Sequence, residues 1–223
     1  MKEAIGDVLP LGVGVALSPI PIIAVVLMLV SRRARLNGPL FILGWLVGLS
    51  VVGIVMLGIA GPSNANDHGE PARWVAMLKV VLGALLVLVA VRQWRALLHD
   101  GDEPSMPAWM GAIDAFSPAK ALGAGAVLSG LNPKNLLLAV GAAAAIAQTG
   151  ISGAEQAGAY AMFALIGTVG VAVPVVIYFA LGDRAPPVLD RLKGWMVRHN
   201  AAIMATLCLV IGAKLVGDGI AGL

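Results

Sequence analysis

The chain has 223 residues, of which 59% are apolar and only 12% charged, with a net charge of +3. Soluble domains carry about 25% charged residues, so a chain this poor in charge and with a mean hydropathy of +0.92 cannot cover its own surface with water-loving groups. The fifteen Lys and Arg are scattered at segment ends with no basic stripe and no interleaved aromatics, which argues against a nucleic-acid partner. A single cysteine, Cys208, excludes an intrachain disulfide and a paired redox couple, and reads as a small apolar side chain.

Six segments are long and apolar enough to cross a bilayer core of about 30 Å: residues 5–30, 38–60, 73–94, 119–148, 155–181 and 200–221. Their length and lack of strict alternation exclude barrel strands. The start, Met1 to Asp7, has one basic residue and two acids and no cleavage-like site, so the first segment is expected to stay as a span. The fold class is therefore all-α integral membrane, with residues 1–223 forming one transmembrane domain.

Basic residues orient the spans. The loop after span 1 carries Arg32, Arg33 and Arg35, the loop between spans 3 and 4 carries Arg92, Arg95 and Lys120, and the loop after span 5 carries Arg184, Arg191, Lys193 and Arg198. Only Lys2 and Arg73 lie on the other side. The basic loops mark the cytoplasm, so a multi-pass protein of the plasma membrane with both termini outside is expected. Pro62 to Asp67 reads as a turn-rich outer connector. Residues 95–118, with Asp100, Asp102, Glu103, Pro104 and Pro107, read as a solvated linker. Asp183-Arg184 and Asp190-Arg191 read as a solvated loop, and Pro174 as a kink in span 5. Trp74, Trp94, Trp109 and Trp195 fall near span ends, where an interfacial belt places them.

The chain repeats itself. Leu11-Gly12-Val13-Gly14-Val15-Ala16-Leu17-Ser18 recurs 111 residues on as Leu122-Gly123-Ala124-Gly125-Ala126-Val127-Leu128-Ser129. Leu78, Val81, Gly83, Ala84, Leu86 and Val87 match Leu207, Val210, Gly212, Ala213, Leu215 and Val216 at an offset of 129. This divides the chain into repeat one (1–94), a cytoplasmic linker (95–118) and repeat two (119–223). Three spans per unit is an odd number, so the second copy enters the membrane from the opposite face, as in the inverted repeats of many secondary transporters.

Each copy places a helix breaker after the shared segment: Ser18-Pro19-Ile20-Pro21 in span 1 and Ser129-Gly130-Leu131-Asn132-Pro133-Lys134-Asn135 in span 4. Proline in a helix interior costs about 3 kcal/mol or more, so spans 1 and 4 are expected to be broken mid-membrane. Unpaired backbone at that depth is tolerated only against protein or a water-filled cavity. Symmetric breaks therefore point to a substrate site built from Ser18, Pro19, Pro21, Ser129, Asn132, Pro133, Lys134 and Asn135; the competing reading is two packing kinks. A Lys at the middle of a span costs about 2.5–3.5 kcal/mol on the insertion scale. Lys134 should meet a cavity and an anionic or carbonyl-bearing substrate, or else the carbonyls of span 1.

Lys214 and Asp218 share a helix face, with Lys79 and Asp7 at similar outer depth. They form an outer ion-pair cluster or gate, or the lysines simply snorkel to the interface. His68, His99 and His199 have no metal-ligand spacing, and nothing in the chain calls for a cofactor. Ser18 or Ser129 as a nucleophile would need a base, and no His lies mid-span, so an enzyme is not expected. Gly/Ala-rich faces permit a homodimer.

The span-1 stretch Leu17 to Ile22 and the span-4 stretch Leu131-Asn132-Pro133-Lys134-Asn135-Leu136-Leu137-Leu138 resemble the lysine-exporter (LysE) superfamily. Within it they are most similar to the GAP branch of sulfolipid- and glycopeptidolipid-addressing proteins. The resemblance implies export across the plasma membrane of a small molecule or a cell-envelope glycolipid, with membrane lipids as partners. It carries Ser18, Pro19, Pro21, Asn132, Pro133, Lys134 and Asn135 as family-like positions. An accessory protein that scaffolds a separate lipid-export machine is the alternative. Thiol-redox relatives use paired membrane cysteines, which Cys208 alone cannot provide.

Overall fold

The computed structural model describes residues 1–59, 73–98 and 116–223. All the regular structure among them is helical: α1 (Lys2–Ala16), α2 (Pro19–Val30), α3 (Ala34–Ile59), α4 (Arg73–Leu98), α5 (Pro118–Gly130), α6 (Pro133–Gln148), α7 (Gly153–Leu181) and α8 (Ala185–Ala221). The outer connector at Pro62 to Asp67, most of the expected linker, Trp109, His68 and His99 lie outside the described residues.

The helix starts are written in short polar-proline signals. Ser18-Pro19, Ser117-Pro118 and Asn132-Pro133 open α2, α5 and α6, each with the polar residue at the N-cap and the proline in the first helical position. Proline suits that position because its missing N–H would have had no partner there. A Ser152–Glu155 capping box opens α7, satisfying two further orphan donors.

The breaks fall where the prolines demand. α1 and α2 meet at Leu17 and Ser18 with a bend of 51°, and Leu131 and Asn132 separate α5 from α6. Pro174 lies inside α7 without interrupting it. α3, α4 and the stretch Gly153–Ala221 are long and apolar enough to span a membrane, and α1 with α2 makes a fourth candidate as one bent span.

Two expected helix boundaries are corrected. Asp190 and Arg191 are exposed but helical, because α8 begins at Ala185 and runs for 37 residues. Ala185, Leu189 and Met196 are buried and Leu192 half-buried, an apolar stripe at helical spacing that the charges around it disguise. α7 ends at Gly182, whose φ of +50° lies in the left-handed region, and a 3-10 turn at Gly182–Arg184 leads into α8. α4 continues to Leu98, into the segment expected as linker.

The helices pack in pairs through small residues. α3 lies along α5, α1 along α7, and α4 along α8. A side chain at Gly44 would strike the Leu122 carbonyl, one at Gly125 the Phe41 carbonyl, and one at Gly170 the Ala16 carbonyl. On the α4–α8 seam the contacts are reciprocal: Gly83 faces the Gly212 carbonyl and Val216, while Gly212 faces the Gly83 carbonyl and Val87. Close backbone approach through Gly and Ala is how helices associate in lipid, where apolar burial supplies no drive. Many large apolar side chains also point outward: Ile54 is 73% exposed and Val176 and Val210 are 64% exposed. Exposed apolar surface on this scale marks a lipid-facing protein. Trp74, Trp94 and Trp195 are on that outer surface as well, whereas Trp45 is buried and stacks on Phe41.

Candidate functional site

A helix that stops leaves its last carbonyls without partners. At the end of α1 the final helical bond runs from the Leu17 amide to the Val13 carbonyl, 3.0 Å. Pro19 has no N–H to give Val15, and Pro21 none to give Leu17. The negative end of α1 is thereby held open beneath Ser18, which is extended (φ −96°, ψ 102°). At the end of α5 the pattern recurs: the Leu131 amide bonds the Val127 carbonyl at 2.8 Å, and the chain then turns into Asn132.

The first turn of α6 answers both ends. The Asn132 side chain accepts from the Lys134 amide at 3.1 Å and caps the helix. The Lys134 amine crosses to α1 and donates to the Gly14 carbonyl at 2.7 Å. Asn135 Nδ2 donates to the Leu128 carbonyl of α5 at 3.0 Å, and its Oδ1 accepts from Ser18 Oγ at 2.8 Å. Gly14 and Leu128 occupy the same place, three residues before the last capped amide of their helices. Two adjacent side chains therefore satisfy equivalent carbonyls at the two breaks. Lys134 is 4% exposed, Ser18 2% and Asn135 0%, and Cys208 of α8, near Lys134, is buried as well.

Of the eight residues expected at the site, Ser18, Lys134 and Asn135 form this buried network, and Asn132 caps it. Pro19 and Pro21 are buried in the first turn of α2 beside it, while Pro133 is exposed. Ser129 does not join: its hydroxyl donates back to the Ala126 carbonyl at 3.1 Å and lies against Gly48 of α3. Of the two partners left open for Lys134, the structure places its amine on the span-1 carbonyl. The acceptors at Gly14 and Leu128 are backbone atoms, so no residue type signals them. Pockets open elsewhere, one between α4 and α8 around Trp94 and Leu209 and one where α2 and α7 end.

Replacing Ser18 with Ala leaves Asn135 Oδ1 buried without that donor, at a cost of about 1–3 kcal/mol. Since roughly 2–4 °C of Tm accompany each kcal/mol in a chain of this size, the detergent-solubilised variant should melt several degrees lower. An unchanged Tm would show that the Ser18–Asn135 bond contributes nothing.

A second polar cluster sits where α1 begins and α8 finishes. The Lys214 amine pairs with Asp218 on its own helix and lies 3.6 Å from Asp7 of α1. Lys79 does not snorkel: it is buried, and its amine donates to Gln148 Oε1 of α6. Gln148 gave no signal in the sequence. Asp7 and Lys214 are each about a third exposed, and such pairs contribute about 0–1 kcal/mol. Asp7→Asn should therefore lower Tm by no more than a few degrees, and a larger loss would mark the pair as a structural clamp.

The fold and the network define an all-helical, lipid-facing membrane protein whose two interrupted helices are tied together by a buried Lys and Asn. The family description "Sap, sulfolipid-1-addressing protein" matches residues 8–221, and the chain belongs to that family. No curated protein and no solved structure matches it.

Proposed function

We propose that the chain exports an anionic or amphiphilic small molecule, or a cell-envelope glycolipid, through the paired breaks, as a LysE-superfamily-like secondary transporter. The observation that carries this reading is the Lys134 amine, 4% exposed and bonded to a neutral carbonyl rather than a carboxylate. A buried charge is costly unless paired. A cation that holds only a helix-end carbonyl can exchange it for an anionic group of a cargo without breaking an ion pair. The match to a lipid-addressing family supports an amphiphilic cargo.

Six spans in two inverted triplets suit this role. Supporting that arrangement, α1 on α7 and α5 on α3 exchange under the repeat, as do Gly83 and Gly212 across the α4–α8 seam. Asp7 with Lys214 and Asp218 would close the outer end. On this reading the opposite end, where the basic residues gather, faces the cytoplasm, and both termini lie outside the plasma membrane. The serines give no support to catalysis, since Ser18 donates to Asn135 and Ser129 to its own helix.

The buried Cys208, the chain's lone thiol, reports on access to the site. In proteoliposomes a membrane-impermeant maleimide should label it faster when acidic glycolipid is included than without it. Labelling that stays slow under every condition sinks alternating access. It would then favour the second reading, a scaffold for a lipid-export machine, for which the closed contact of Lys134 on Gly14 already speaks.

A further inference from the structure

At the end of the bundle opposite the termini, α2 turns into α3 and α7 turns into α8 beside each other. A pocket of about 520 Å³ opens between the two corners, within the roughly 300–1,000 Å³ of small-molecule sites. Its walls are Leu29 and Val30 of α2, Tyr178 and Phe179 of α7, and the charged side chains Arg35 and Asp183. Along α2 it lies roughly 18 Å from Ser18 at 1.5 Å per residue, and it owes nothing to the network at the breaks.

Four features fix what fits. The apolar runs of α2 and α7 give way here to Arg32, Arg33, Arg35, Asp183 and Arg184, which sets the pocket at the level where lipid headgroups lie. Two helices end and two begin at the corners, so their dipoles offset one another and the side chains set the local charge. Arg35 and Asp183 line one pocket, yet no ion pair joins them among the described residues. Ser31 Oγ donates to the Met28 carbonyl at 2.7 Å, which leaves its oxygen lone pairs as acceptors beside them.

A purely anionic head would suit Arg35 but face the Asp183 carboxylate. A head with a phosphate and a primary amine satisfies both: the guanidinium fork takes two phosphate oxygens, and the carboxylate takes the ammonium, with Ser31 Oγ as a second acceptor. The half-exposed Val30 and Phe179, 55% and 53%, then meet the upper acyl chains. We propose that this pocket is a binding site for a zwitterionic aminophospholipid, phosphate on Arg35 and ammonium on Asp183.

The full chain is purified into detergent micelles doped equally with phosphatidylethanolamine, phosphatidylcholine and phosphatidylglycerol, and the lipid retained is read by native mass spectrometry. Phosphatidylethanolamine should be retained over each of the others by about fivefold, as expected of one partly exposed charged contact. Asp183→Asn should erase that preference, and Arg35→Gln should lower retention of all three. Both side chains are exposed, so an unchanged Tm verifies that the variants are folded. Free phosphoethanolamine as competitor separates the headgroup from the whole lipid: displacement assigns recognition to the head alone, and no displacement assigns it to head and chains together. No retained lipid, equal retention, preference for phosphatidylglycerol, or indifference to both substitutions overturns the site. None of these results bears on transport through the breaks, which the Cys208 and Lys134 experiments test.

Discussion

On the proposed transport role, Lys134→Met is expected to abolish export while leaving the protein folded. Methionine keeps most of the length and volume of lysine, so packing against α1 changes little. Two effects on stability oppose each other. The Gly14 carbonyl loses its 2.7 Å donor, at about 1–3 kcal/mol for a buried acceptor. The variant also no longer desolvates an ammonium, a penalty of several kcal/mol. The net change in Tm should therefore be small and of either sign. Binding has no such offset. If the amine holds an anionic group of the cargo in a buried setting, removing it costs about 2–5 kcal/mol, a loss of roughly thirtyfold or more in affinity. The measurement is the fraction of acidic envelope glycolipid reaching the cell surface in a host whose own copy is deleted, beside Tm of the purified variant. Wild-type export by Lys134→Met would remove this residue from the mechanism. Loss of export together with a collapsed Tm would instead make Lys134 a structural tie.

Gly170→Ala should damage both stability and the break. A Cβ at Gly170 would overlap the Ala16 carbonyl, and Ala16 is the last residue of α1. Backbone cannot swing aside as a side-chain tip can, so α1 must shift as a body and carry Gly14 away from Lys134. Overpacking of this kind costs about 1–3 kcal/mol, occasionally more, or several degrees in Tm at roughly 2–4 °C per kcal/mol. Gly44→Ala, which meets the Leu122 carbonyl on the α3–α5 seam, should destabilise similarly but leave α1 in place. Gly123→Ala meets nothing within 4 Å, and a helical Gly→Ala with open space around the new Cβ gains up to about 1 kcal/mol. Thermal unfolding of the three variants, with maleimide labelling of Cys208, checks the order. If only Gly170→Ala changes Cys208 reactivity, α1 is the element coupled to the site. Equal reactivity in Gly170→Ala and Gly44→Ala would show that both merely loosen the bundle.

The residues explain which features were legible beforehand. Pro19, Pro21 and Pro133 act on their own helix through a missing N–H, so a local rule locates both interruptions to within a residue or two. Helical spacing of apolar residues was hidden at 185–199, where Asp190, Arg191 and Lys193 sit among Ala185, Leu189 and Met196 and mask the buried stripe. Ser18 and Ser129 occupy matched places in the repeat, yet one bonds across 117 residues and the other back three. Their different fates arise because α6 opens with Lys134 and Asn135, whereas its repeat counterpart α2 has no polar side chain to reach Ser129.

By itself, then, the sequence determined that the chain is a lipid-facing helical protein interrupted within Ser18–Pro21 and Ser129–Asn135. Apolar length and proline chemistry are properties of a segment alone. Only the tertiary structure decided that the Lys134 amine lands on Gly14, that Asn135 bridges Ser18 and Leu128, and that Lys79 is buried on Gln148. Apart from the seven-residue reach of Asn135 to Leu128, each of those contacts joins groups at least 69 residues apart. Two of the acceptors are backbone carbonyls, identical in every residue and marked only by where the packed helices leave them.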